Sequence, residues 1–125
     1  MSTQATLPPA FAKLEPFVAY WAAESLSERD TRRLDSTEAQ RRTFYDAAKE
    51  VAPAAIAYLD SKPFTDYDAA DHRLLDLMLG LVHATLAVEI ERDEEHTHAR
   101  GARLMPIVKE RADPRTLCGN KRPSA

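Results

Sequence analysis

Between residues 74 and 90 any helix the chain forms is apolar on nearly every side. Leu74, Leu75, Leu77, Met78, Leu79, Leu81, Val82, Leu86, Val88 and Ile90 are too many for one narrow stripe. Gly80, Ala84 and Ala87 fill most of the remaining arc with small residues. Such a helix must be covered on most of its circumference, by its own chain or by another. With only three glycines and no alternating β-branched run, nothing argues for strands or hairpins. The expected fold is therefore all-α, a compact bundle of four to five helices around a central, nearly all-round apolar helix at about 68–92. Asp76, His83 and Glu89 interrupt the run, so it falls short of the ~20 apolar residues a membrane span needs.

The other elements follow from caps and spacing. Pro16 fits a first helical position, and Phe17, Val18, Tyr20 and Trp21 after it suggest an aromatic helix over 16–24. Ser27 with Asp30 has N-cap spacing and predicts a short exposed helix up to Asp35. Thr37 with Gln40 fits a capping box, and Phe44, Ala48, Val51, Ala55 and Leu59 then mark one face of a long helix over 36–60. Pro53 inside it predicts a kink or a break near 49–53. Thr65 with Asp68 suggests the cap of the central helix, with Asp66, Asp68 and Asp71 at its positive end. The polar run 93–98 reads as a fraying helix end, and Leu104, Met105, Ile107 and Val108 as a short apolar patch limited by Pro106. One helical domain over 8–112 is expected, between a flexible lead at 1–7 and a flexible tail at 113–125.

At 125 residues with a formal charge of −3, the chain has no overall basic field to attract nucleic acid or acidic lipid. Arg29, Arg32, Arg33, Arg41 and Arg42 form a basic cluster, but Glu28, Glu38 and Asp46 lie at helical pairing distance from its members. Neither a nucleic-acid nor a membrane partner is expected. Residues 1–6 have no basic and apolar signal pattern, and Cys118 stands alone, so a cytoplasmic location is expected. Cys118 has no neighbouring base to activate it, and no phosphate loop or hydrolase elbow occurs, so the reading leans away from an enzyme. No metal or other cofactor is expected. The nearest metal pattern joins His83, Glu89, Glu95 and His98; Glu95 and His98 have Glu-x-x-His spacing, but the second such pair of a two-metal bundle is missing.

Two functional readings remain. The first is a non-catalytic helical interaction or accessory protein that self-associates as a homodimer or meets a protein partner. Its expected interface is a seam of small residues on the central helix, Asp76, Gly80, Ala84 and Ala87, with His83 at the edge as the titratable group. The alternative is a binding protein for a small carboxylate or aromatic metabolite. Its pocket would be lined by Tyr20, Trp21, Phe44 and Tyr45, with Arg41 or Arg42 meeting the anion.

Overall fold

Asp68 starts the apolar helix. Its carboxylate accepts the Asp71 N–H at 2.8 Å while Asp71 accepts the Asp68 N–H at 3.0 Å, a reciprocal capping box. The cap thus lies three residues later than Thr65, because the chain first makes a 3-10 turn at Phe64–Asp66. The computed structural model describes residues 5–107, and over these the protein is an all-α bundle without strands. The helices are α1 (Val18–Trp21), α2 (Leu26–Asp35), α3 (Glu38–Asp60), α4 (Ala69–Thr85) and α5 (Glu95–Arg103). α4 packs against α1, α2 and α3. Val108, Cys118 and the expected tail at 113–125 lie outside the described residues.

Local chemistry explains where the elements begin and how far they run. Thr37 and Gln40 form the expected box at the start of α3. α2 begins two residues earlier than the Ser27 spacing suggests, because Ser25 accepts the Glu28 N–H at 3.1 Å. The aromatic segment is α-helical only over α1; before it, Pro9–Phe17 forms 3-10 turns, with Pro9 and Pro16 each lacking an N–H to donate. α3 runs unbroken through Pro53, so of the expected kink or break the break does not occur. Pro53 lies on the exposed side of α3, where water can take the carbonyl left without a donor.

Beyond Thr85 the helix continues as a π turn, Leu86–Glu91, and ends at Arg92, whose φ of 47° is the one positive value at a non-glycine among the described residues. Arg92 Nε donates to the Glu89 carbonyl at 3.0 Å and closes the end. The polar stretch expected to fray instead makes a 3-10 turn, Arg92–Glu94, and then α5. At the other end of the molecule, Thr6 and Leu7 belong to the folded body. Glu15 accepts both their N–H groups at 2.8 Å, and Arg73 donates to the Thr6 carbonyl at 3.0 Å.

The core joins Leu14, Trp21, Phe44, Ala48, Leu74 and Leu77. Trp21 stacks on Phe44 with ring centroids 4.7 Å apart and an interplanar angle of 7°. Such a pair adds about 1 kcal/mol to the burial of its area. No helix among the described residues is long and apolar enough to cross a membrane.

Candidate functional site

The small-residue seam faces inward. Asp76, Gly80, Ala84 and Ala87 are all buried within this chain. A Cβ on Gly80 would sit 2.7 Å from the Trp21 carbonyl oxygen, so glycine is what lets α1 and α4 meet backbone to backbone. The seam expected to meet a second chain is buried within this one, with α1 against it at Gly80. His83 at its edge is half-buried and its Nδ1 has no partner among the described residues. Burial lowers its pKa; Asp30 opposes that shift, and Arg29 and Arg33 add to it. The histidine therefore belongs to the α2–α4 contact.

Among the described residues the opposite side of the helix is open toward the π turn. Val82 is 56% exposed, Leu86 40% and Ile90 64%, and Leu75 and Leu79 continue the same line toward the start of α4. The steps from 75 are four, three, four and four. The first three are the alternation of a coiled-coil seam. The last carries one residue extra, which the wider π turn absorbs, keeping Ile90 in line with Val82 and Leu86. Sequence reasoning passed over this stripe because every side of the run is apolar; its three-four spacing was the signal.

The expected ligand pocket divides. Trp21 and Phe44 are spent on each other in the core. The Tyr20 hydroxyl donates to the Arg32 carbonyl at 2.8 Å, and its ring edges a shallow groove with Phe17 and Gln40. Arg41, Arg42 and Tyr45 do come together, on the wall of a 550 Å³ cavity between α3 and the π turn. There the Tyr45 hydroxyl donates to the Glu89 carboxylate, and the Lys49 ammonium lies 5.1 Å from the Tyr45 ring centroid. Lys49 and Arg92 are members of this wall that the sequence did not single out, and Glu89 was singled out only for the metal pattern. The π turn and the positive φ of Arg92 both border the cavity. Local departures of this kind cost free energy and cluster at functional sites.

The four groups of the metal pattern are not brought together. Glu95 is buried and accepts two hydrogen bonds from the Arg33 guanidinium, at 3.1 Å and 2.9 Å. Glu89 holds Tyr45, His83 faces α2, and His98 Nδ1 stands 3.9 Å from the Glu91 carboxylate. Arg33, expected on an exposed basic face, is thus buried. Separated by 62 residues, the pair left no signal in local spacing.

A second buried carboxylate organises the start of α4. Asp71 accepts from Tyr58 Oη and Lys62 Nζ, both at 2.7 Å. Burial alone pushes its carboxyl up, but the bonds from Lys62, Tyr58 and the Asp68 N–H outweigh it and hold the pKa at about 2. Comparison with protein-family models, with curated proteins and with solved structures finds no match. The geometry alone therefore carries the functional reading.

Proposed function

We propose that this is a non-catalytic helical interaction protein that self-associates through the outer stripe of α4 and the π turn. The carrying observation is the line Leu75, Leu79, Val82, Leu86 and Ile90, half-buried at its first two members and exposed at Val82, Leu86 and Ile90. A second copy is the natural occupant: a three-four stripe accepts a helix of the same spacing, and a twofold axis lets one surface serve both partners. With the small-residue seam buried within the chain, this stripe is the side of the helix left for a partner. Each exposed side chain contributes at most ~2 kcal/mol when fully covered, and association itself costs several kcal/mol, so a reversible dimer is expected.

Sedimentation equilibrium across the micromolar range tests the reading. The unmodified chain should pass from monomer to dimer with concentration, and Val82→Glu should stay monomeric with unchanged helical circular dichroism. A chain that stays monomeric throughout, or a Val82→Glu variant that dimerises as before, would sink the proposal.

A further inference from the structure

The cavity between α3 and the π turn is walled by charges that do not neutralise one another. On α3, Glu38, Arg42 and Asp46 follow at intervals of four, the spacing at which an exposed helix pairs its own charges. Neither pair forms. Among the described residues no carboxylate stands within ion-pair distance of Arg42, Lys49 or Arg92. Arg41 differs, because its guanidinium donates to the carbonyls of Arg33 and Ser36 at the end of α2. The cavity thus keeps three cations uncommitted by ion pairing and sets them among four carboxylates, Glu38, Asp46, Glu89 and Asp93, with Ala87 and Val88 also in its wall. Its 550 Å³ falls within the range of small-ligand sites, about 300–1,000 Å³.

The sign balance decides the class of ligand. A plain anion would be attracted by the guanidinium and ammonium groups and repelled by the carboxylates set among them, and a plain cation would meet the converse. A molecule carrying both signs a few bonds apart gains from both kinds of group and brings no net charge into the cavity. We propose that this cavity is a binding site for a small zwitterion of the free amino-acid type. Its carboxylate lies toward Arg42 and Lys49, where a planar guanidinium matches the carboxylate fork. Its ammonium lies toward Asp46 and Glu89, and Tyr45 holds Glu89 in place through its hydroxyl. The π turn serves the site by bringing Glu89 against α3. The site is separate from the outer stripe, although Ile90 borders both.

Calorimetric titration of the full chain with each standard amino acid tests this, with acetate and methylammonium as the single-charge halves. At least one amino acid should bind saturably, while neither half binds at the same concentration. Arg42→Gln, an exposed change that leaves the fold intact by circular dichroism, should weaken binding about tenfold, the loss expected for one charge-assisted contact. Val82→Glu should leave binding unchanged, so the result stands apart from self-association. Saturable binding by no amino acid, equal binding by acetate alone, or an Arg42→Gln variant of full affinity would overturn the proposal.

Discussion

Two glycines in helices predict opposite outcomes for the same substitution. Alanine at Gly80 places its Cβ 2.7 Å from the Trp21 carbonyl oxygen, a backbone atom that moves only with α1. Overpacking of this kind costs about 1–3 kcal/mol, whereas helix propensity returns at most ~1 kcal/mol. Gly80→Ala should therefore lower the urea midpoint, by a net loss of about 1–2 kcal/mol. At Gly101 in α5 nothing lies within 4 Å of the added carbon, so Gly101→Ala should be neutral or stabilising by up to ~1 kcal/mol. Glycine in a helical run does not say which case it is, because the difference lies in a carbonyl about sixty residues away in the chain.

Asp71 carries the clearest pH dependence. Folding lowers its carboxyl from the ordinary 3.8 to about 2, so the folded state binds its proton more weakly than the unfolded one. The stability it contributes is then present above its ordinary pKa and drains away as the pH falls through 3.8 toward 2. Asp71→Asn should cost about 2 kcal/mol at neutral pH and flatten that acid limb in thermal melts taken from pH 5 downward. An acid limb unchanged in the variant would mean that other carboxylates carry it. The Asp68–Asp71 spacing was visible in the sequence as negative charge at a helix start. The bonds from Tyr58 and Lys62 were not, since they depend on how the loop after α3 folds back.

Among the elements, legibility follows the range of the interactions that make them. The α3 cap and its apolar face are local and were read directly. Pro53 was overweighted because a broken hydrogen bond costs much less where water replaces it, and burial is not a local property. α5 was missed for a clearer reason. Its inward residues are Ala99 and Glu95, and a buried glutamate looks like solvent-facing charge until Arg33 is placed beside it. That pair predicts a specific asymmetry. Glu95→Ala leaves a guanidinium buried without its counter-ion, costing about 3–5 kcal/mol, whereas Arg33→Met with Glu95→Leu together should cost far less. Urea unfolding of the single and double variants checks this. The single variant should also be cut more readily by protease near the Arg92–Glu94 turn, as α5 loses its hold on α2.

For the whole molecule, the fold class followed from the scarcity of glycine and the lack of any alternating β-branched run. The sequence also implied that this run needs covering on most sides. It could not say which side its own chain would cover, because Gly80, Ala84 and Ala87 suit a neighbour from either source. The structure buries that side within the chain, with α1 at Gly80, and leaves Val82, Leu86 and Ile90 outward. The candidate ligand set was half legible: Arg41, Arg42 and Tyr45 share a cavity, but the π turn that completes it has no sequence signature in so apolar a run.

Methyl resonances followed by NMR as the protein is concentrated test the central claim most directly, because they distinguish the two faces of one helix. The methyls of Leu79, Val82, Leu86 and Ile90 should shift or broaden together with rising concentration, while those of Ala84 and Ala87 stay fixed. Movement of Ala84 and Ala87 ahead of the outer stripe, or no concentration dependence at any of these methyls, would contradict it.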